Sequence, residues 1–133
     1  MKIVRLNEHV AVSEQITPAD VETIASQGYR VIINNRPDGE APGQPTNAEI
    51  AAQAANLGLE YHHLPVTAMD FPGPDMETMR ALFHDKTNPV LAFCRSGTRC
   101  ANLWVTSHDA NDRENAAIKA HSLGYHLGMA ARC

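Results

Sequence analysis

The residues whose types and spacing best suit chemistry form one hexapeptide, Cys94-Arg95-Ser96-Gly97-Thr98-Arg99. Successive backbone N–H groups that curl into the start of a helix form a concave site for an anion. The same positive field lowers the pKa of a cysteine at its centre and makes it a nucleophilic thiolate. Gly97 permits the tight curl, Arg99 presents a planar pair of donors, and the hydroxyls of Ser96 and Thr98 can donate to the same anion. The pattern predicts that Cys94 is a nucleophile in an anion-binding loop.

The elements that must position this loop are indicated by capping residues, glycines and apolar runs. In chain order they are a hairpin of strands at 3–6 and 9–12, a helix from Thr17 to Gly28, a strand at 31–33, a helix from Thr46 to Gly58, a strand at 59–64, a helix at 75–86, a strand at 89–93, a helix at 99–110 and a helix at 112–122. Strands that alternate with helices need crossover connections, so we predict a three-layer α/β fold with a mostly parallel sheet. Ligands bind such sheets at the carboxyl ends of the strands, where the hexapeptide begins.

Composition limits the classes of function. The 133 residues, 44% of them hydrophobic, predict one domain over 1–133. A net charge of -4 argues against a nucleic-acid partner, and no apolar run is long enough to span a membrane. The amino terminus lacks the apolar segment of a secretory signal, so we expect a cytoplasmic protein with reduced thiols. No His, Cys, Asp or Glu spacing indicates a metal site, and we expect no metal and no cofactor.

Two further residues, Arg36 and Cys100, have two interpretations each, and a third, Cys133, has one. Arg36 follows a buried strand, so it either makes a second anion contact beside Cys94 or anchors its own turn through neighbouring Asn and Asp side chains. Cys100 either resolves a persulfide or sulfenate on Cys94 as a disulfide or, as we favour, packs against the sheet. Cys133 is terminal, and we expect it to be mobile and exposed.

Several segments together resemble known families. The hexapeptide CRSGTR is similar to the active-site loop of rhodaneses, C-R-x-G-x-R. The chain around it, over about residues 3–110, resembles the beta-lactamase-hydrolase-like, phosphatase-like domains of bacteria. That resemblance rests on IINNRPDGE at 32–40, PGQPTNAEI at 42–50, HHLPV at 62–66 and VLAFCRSGTR at 90–99. It implies a dual-specificity-phosphatase-like fold, phosphatase or sulfurtransferase activity, and a possible persulfide dioxygenase partner of metallo-β-lactamase type.

The spacing within the loop and one aspartate favour different chemistries. Protein tyrosine phosphatases place five residues between Cys and Arg, whereas here residues 95–98 separate Cys94 from Arg99 and Cys100 occupies the phosphatase arginine position. Rhodaneses have the shorter loop, so the spacing favours sulfur transfer. Asp70, however, falls where dual-specificity phosphatases keep the general acid that protonates the leaving oxygen. The alternative for Asp70 is an ordinary solvated loop carboxylate.

On balance the sequence predicts a sulfurtransferase. Sulfane sulfur would pass from thiosulfate or a persulfide donor, through a Cys94 persulfide held by Arg99 and the loop amides, to a thiol acceptor such as glutathione. The alternative is a cysteine-dependent protein tyrosine or dual-specificity-type phosphatase with Cys94 as nucleophile and Asp70 as general acid. A third interpretation is a non-enzymatic sensor of anions or reactive sulfur, which turnover with a defined donor and acceptor would exclude.

Overall fold

The computed structural model describes residues 1–132, which form five β-strands, five α-helices and a short 3₁₀ helix. In chain order these are β1 (Ile3–Arg5), β2 (Val10–Ser13), α1 (Pro18–Ser26), β3 (Val31–Asn34), α2 (Asn47–Asn56), β4 (Glu60–His63), α3 (Met76–Phe83), β5 (Val90–Phe93), α4 (Thr98–Thr106), α5 (Ala110–Ser122) and the 3₁₀ helix Ala130–Arg132. The predicted order of elements is confirmed. The expectation that Cys133 is mobile and exposed lies outside the described residues.

The differences from the predicted boundaries have local causes. The helix predicted at 75–86 ends at Phe83, since Asp85 accepts a hydrogen bond from the Thr87 amide at 2.9 Å and starts a turn. The helix predicted at 112–122 starts at Ala110, because the Asp109 side chain caps it by accepting from the Asp112 amide. These shifts leave the positions of the elements in the fold unchanged.

The strands form one sheet in the order β1-β2-β5-β3-β4. β1 pairs antiparallel with β2, as the hairpin prediction required, and the other three pairings are parallel. The carboxyl ends of β2, β5, β3 and β4 therefore lie along one edge of the sheet. That edge collects the segments that follow Ser13, Phe93, Asn34 and His63.

The central strand β5 shows why helices cover both faces of the sheet. Val90 and Ala92 pack into an apolar cluster with residues of α3, α4 and α5, while Leu91 and Phe93 pack into a second cluster with residues of α1 and α2. All four side chains are fully buried, and side chains of a strand alternate between its faces. The three-layer α/β prediction is confirmed.

The capping residues that predicted the first two helices act as expected. Thr17 accepts from the Asp20 amide at 3.3 Å while the Asp20 carboxylate accepts from the Thr17 amide at 2.9 Å, which completes a capping box. Thr46 accepts from the Glu49 amide at 3.2 Å, which is one of the two bonds of such a box. Within residues 1–132, no helix has the length and hydropathy that a bilayer span requires.

Candidate active site

The hexapeptide connects the central strand β5 to the start of α4. The Cys94 amide donates to the Ser13 carbonyl at 3.4 Å, which fixes the cysteine at the carboxyl edge of the sheet. Gly97 is the N-cap of α4 with a φ of 90°, a left-handed conformation that side chains disfavour. This turn directs the Gly97 N–H at Cys94 Sγ, 3.1 Å away. The loop thus curls around the sulfur as the sequence predicted.

The environment of Cys94 favours its thiolate. Its pKa falls from 9.0 to about 5, first because the Cys100 thiol hydrogen-bonds to it and then through the backbone N–H groups of Cys100 and Ser96 and the charge of Arg99. Burial of the side chain acts in the opposite direction. The thiolate form of Cys94, which is the form in which a cysteine can act as a nucleophile, is therefore favoured at neutral pH.

Cys100 lies in the first turn of α4 and faces the interior. Its side chain is fully buried in the same apolar cluster as Cys94, which confirms that it packs inward. Burial and the neighbouring Cys94 raise the pKa of Cys100 well above its ordinary value. Of the two thiols, Cys94 therefore favours the ionised form and Cys100 the protonated form.

Arg99 is held firmly beside the loop. Its Nη1 and Nη2 donate to Glu40 Oε2 and Oε1 at 2.8 and 2.7 Å, and Nη1 also donates to the Val66 carbonyl at 3.0 Å. Only 13% of the Arg99 side chain is exposed. A two-pronged ion pair fixes the plane of the guanidinium group, so its position near Cys94 is set before any ligand arrives.

Arg36 lies at the same sheet edge but supports Glu40. Its Nε donates to Glu40 Oε1 at 2.9 Å and its Nη1 to Gln15 Oε1 at 3.0 Å, while its amide donates to the Asn34 side chain at 2.9 Å. Arg36 is 4% exposed, and its carboxylate partner is shared with Arg99. The two guanidinium groups lower the pKa of Glu40, against the opposing effect of its burial. The amide bond fits turn anchoring, and the side chain makes Arg36 a brace for the carboxylate that orients Arg99.

Glu40 is the site residue that sequence reasoning did not single out. It lies in the Gly- and Pro-rich loop after β3, 59 positions from Arg99 along the chain. The available signal is weak: it is an acidic residue in the loop after β3, the strand next to β5, where it can reach an arginine of the loop after β5.

The remaining loop side chains lie at the rim of the site. Arg95 and Ser96 are exposed. Ser96 Oγ donates to Thr98 Oγ1 at 3.0 Å and accepts from the Thr98 amide at 3.4 Å. The hydroxyls of Ser96 and Thr98 are thus bonded to each other here, and their contact with a bound anion stays a prediction.

Asp70 lies on the loop that follows β4. The start of this loop is hydrogen-bonded to residues of the site. The Val66 amide donates to the Asn35 carbonyl at 3.1 Å, and the Val66 carbonyl receives Arg99. Asp70 itself is exposed, and its Oδ1 accepts from the Thr67 amide at 2.6 Å and the Thr67 hydroxyl at 2.9 Å. These bonds lower the pKa of Asp70. The carboxylate is therefore ionised and tied into its own turn in this arrangement.

The segment after α5 closes the back of the loop. A Cβ added at Gly97 would lie 3.4 Å from both the Tyr125 hydroxyl and the Ser13 carbonyl. A polar cavity of about 210 Å³ beside the loop is lined in part by Lys2, Ser96 and Tyr125. The sequence indicated no role for Tyr125, whose hydroxyl comes close to Gly97 only when the chain is folded.

A cysteine between the central strand and a helix, with an arginine five residues further on, is the arrangement of a phosphatase-like α/β domain. The chain belongs to the family described as beta-lactamase hydrolase-like protein, phosphatase-like domain, which matches residues 2–111. The family and fold that the sequence predicted are confirmed.

Individual relatives agree with this assignment. A beta-lactamase hydrolase-like protein of Xylella fastidiosa is 36% identical over 133 residues, covering 98% of this chain and 31% of that protein. The chain thus spans about a third of that relative, and 26% of a relative of the same name from Agrobacterium fabrum. The solved structure of a Neisseria meningitidis protein described as a "putative phosphatase" is 41% identical, has a TM-score of 0.73 and covers 91% of this chain and 89% of that chain.

More distant structures show the same fold. A PTP-2 phosphatase of Cydia pomonella, 16% identical, has a TM-score of 0.70 over 98% of this chain and 86% of that chain. The description of the matched family and that of the Neisseria meningitidis structure favour the phosphatase alternative over sulfur transfer.

Proposed function

We propose that this domain is a cysteine-dependent phosphatase that hydrolyses phosphate monoesters. The observation that carries the proposal is the Cys94 thiolate, with a pKa lowered to about 5, at the N-terminus of a helix that also supplies Arg99. A thiolate nucleophile, an anion-binding turn and a fixed guanidinium group are what phosphoryl transfer through a cysteine requires. The phosphatase-like family and fold support the same reaction.

The reaction has two steps. Cys94 Sγ attacks the phosphorus, an S–P bond forms, and the bond from phosphorus to the leaving oxygen breaks. Arg99 and the N–H groups of the loop stabilise the charge on the phosphoryl oxygens as it moves. Water then attacks the phosphocysteine, which releases inorganic phosphate and restores the Cys94 thiolate.

Glu40 orients Arg99 and competes with the substrate for the hydrogen-bond donors of its guanidinium group. Both hydrogens of Arg99 Nη1 are engaged, by the Glu40 carboxylate and by the Val66 carbonyl, whereas Nη2 donates one hydrogen to Glu40 and keeps the second for a phosphoryl oxygen. The arginine thus binds substrate without a large rearrangement, which lowers the entropy cost of forming the complex.

Asp70 is the proposed proton donor to the leaving oxygen. In the described arrangement its carboxylate accepts two bonds from Thr67, which favour the ionised form. Donation therefore requires the turn at 67–70 to open when substrate binds, so that the carboxyl group is protonated and free to move.

Sulfur transfer is the second candidate, favoured by the loop spacing. Four residues separate Cys94 from Arg99, and Cys100 occupies the phosphatase arginine position. In this reaction the Cys94 thiolate takes the outer sulfur of thiosulfate or a persulfide, and a thiol such as glutathione then removes it. A persulfide dioxygenase partner belongs to this candidate, since it would consume the persulfide formed on glutathione.

One preparation distinguishes the candidates. The reduced protein is assayed for phosphate release from an aryl phosphate, and in parallel is incubated with thiosulfate or glutathione persulfide and analysed by peptide mass spectrometry. We expect phosphate turnover that Cys94→Ser abolishes and Arg99→Gln strongly reduces. Arg30→Gln removes the same charge from an exposed site next to the opposite end of β3 and should have little effect.

The other outcomes are equally definite. A gain of one sulfur on Cys94 that glutathione or cyanide discharges, with no phosphate release, would replace the proposal with sulfur transfer. Neither turnover nor sulfur loading would leave the non-enzymatic anion or reactive-sulfur sensor.

A further inference from the structure

We propose that Asn102 positions the Cys94 loop by holding the segment that follows α5, residues 124–132, against it. The side chain of Asn102 bonds to backbone atoms of α4 and of this segment, so it acts on Cys94 through other residues. The proposal rests on Cys94 being the reactive thiolate of the proposed function. It gives a role to a part of the chain beyond residue 111, where the family match ends.

The Asn102 side chain joins α4 to the 124–132 segment through three hydrogen bonds. Its Nδ2 donates to the Thr98 carbonyl and to the His126 carbonyl, both at 2.8 Å, and its Oδ1 accepts from the Ala130 amide at 2.9 Å. Both donor hydrogens and the acceptor oxygen are therefore in use. An apolar side chain in place of Asn102 would leave the buried Ala130 amide without this partner.

The surroundings of Asn102 show why these bonds matter. Asn102 is fully buried, as are its neighbours Ala101 and Leu103. An amide in such a place costs free energy unless its hydrogen bonds are made, whereas an apolar side chain would pack there without that requirement. A buried polar group with every bond satisfied fixes one arrangement of its partners. Asn102 therefore specifies where the 124–132 segment lies on α4.

The segment reaches the Cys94 loop at Tyr125, the residue before His126. The Tyr125 hydroxyl lies 3.4 Å from the point where a Cβ on Gly97 would stand, and its ring packs against the apolar cluster that contains Cys94. Gly97 in turn directs its N–H at Cys94 Sγ, 3.1 Å away. Because glycine has the widest conformational freedom of any residue, a side chain held against Gly97 restricts the turn that aims this N–H.

The other end of the segment lies at the loop that carries Asp70. Arg132 Nη2 donates to the Ala68 carbonyl at 3.3 Å. Arg132 belongs to the 3₁₀ helix that begins at Ala130, the residue whose amide Asn102 accepts. One buried side chain thus holds a segment that contacts both loops to which the proposed mechanism assigns chemistry.

Replacement of Asn102 should therefore change the ionisation of Cys94 as well as the stability of the domain. When the segment is loose, the Gly97 N–H is held less firmly towards the sulfur and the thiolate loses part of its stabilisation. The loss of one hydrogen bond to a charged group is large enough to raise the midpoint of the thiolate titration by about one pH unit.

The test uses two variants, Asn102→Leu and Tyr125→Ala, on a Cys133→Ser background that removes the third thiol. Thiolate absorbance against pH gives the midpoint for Cys94, since burial raises the pKa of Cys100 out of this range. Asn102→Leu should raise the midpoint by about one pH unit. Amide hydrogen exchange should become about tenfold faster at Gly97 as the turn loosens.

Tyr125→Ala separates the contact with Gly97 from the bonds of Asn102. It removes the side chain that lies against Gly97 and keeps all three Asn102 bonds, so it should shift both measurements in the same direction. Tyr125 is only half-buried, so this variant decides the question if Asn102→Leu does not fold.

Ser107→Ala is the matched control. Ser107 is buried at the other end of α4, where its hydroxyl donates to the Trp104 carbonyl at 2.6 Å. The change removes a buried hydrogen bond from the same helix and should leave the titration midpoint and the exchange at Gly97 unchanged.

The contrary outcomes are distinct. An unchanged midpoint in folded Asn102→Leu, or in Tyr125→Ala, would overturn the proposal. An equal shift in Ser107→Ala would also overturn it, because any loss of stability would then loosen the loop.

Phosphate release from an aryl phosphate is measured on the same proteins against pH. No release by the unaltered protein would refute the proposed function alone, since the titration and the exchange do not depend on turnover. Where release occurs, the acid limb of the Asn102→Leu pH profile should move with the titration midpoint. A purely structural role would instead lower the rate by the same factor at every pH and would overturn the proposal.

Discussion

The charge on Cys94 should make the stability of the domain depend on pH in a way that a single substitution removes. The perturbation is Cys94→Ser, which replaces the sulfur by a smaller hydroxyl oxygen at the same position and stays neutral. The wild-type thiolate is stabilised in the folded state, where the pKa is about 5, relative to an unfolded thiol near 9.0. A lowered pKa of this kind contributes stability that is fully present above the unfolded value and is lost as the pH falls towards the folded one.

The size of the effect follows from the shift. Between pH 5 and pH 8, the free energy of unfolding of the wild type relative to Cys94→Ser should rise by about 1.4 kcal/mol per pH unit. The total over that interval is about 4 kcal/mol, a large share of the stability of a small domain. Above pH 9 the raised pKa of Cys100 opposes the trend, because the unfolded state then ionises a thiol that the folded state keeps protonated.

Urea unfolding at several pH values, followed by the fluorescence of the buried Trp104, measures this difference. Thiolate absorbance in the ultraviolet gives the pKa of Cys94 directly without requiring a reagent to enter the site. Cys100→Ala removes the largest cause of the shift and should raise the pKa of Cys94 and flatten the slope. A stability difference that does not change between pH 5 and pH 8 would refute the thiolate assignment and the reasoning built on it.

Three further predictions concern the residues around the thiolate. Glu40→Gln removes the charge shared by two guanidinium groups and should lower the free energy of unfolding by about 2 kcal/mol in urea titrations; a loss no larger than that of a Glu→Gln change at a residue without arginine partners would contradict the stabilising role of these ion pairs. Gly97→Ala places a side chain at a φ of 90° and should cost about 1–3 kcal/mol in the same assay, whereas Gly128→Ala, with open space around its Cβ and no positive φ, should cost little. Asp70→Asn should slow hydrolysis of alkyl phosphates far more than of esters with acidic leaving groups, and equal slowing of both would remove Asp70 as the proton donor.

The parts of the fold that the sequence predicted are those with local signals. Thr17 and Thr46 cap helices through bonds to residues three positions away, and the apolar run that ends at Phe93 is long enough only for a strand. The Cys94 loop could also be predicted from the sequence, because the thiol, the glycine and the arginine that define it lie within six consecutive residues. Periodicity, caps and turn residues act over a few positions, which is why the individual helices and strands could be predicted.

The contacts that sequence reasoning missed join distant positions. Glu40 reaches Arg99 across 59 residues, and the Val66 carbonyl reaches it across 33. These contacts are determined by the order of strands in the sheet, which places the loops after β2, β3, β4 and β5 side by side. Loop length alone does not decide between phosphoryl and sulfur transfer for a similar reason, since spacing counts residues without measuring the cavity that they enclose.

The ionic triad of Arg36, Glu40 and Arg99 has a consequence for how relatives can diverge. Loss of Glu40 leaves two largely buried guanidinium groups without the carboxylate they share, and loss of either arginine leaves Glu40 with one partner fewer. We therefore expect positions 36, 40 and 99 to be inherited as a set. Relatives without the anion site should carry neutral side chains at all three positions. Relatives that keep the site should vary in sequence at the position of the neighbouring exposed Arg95.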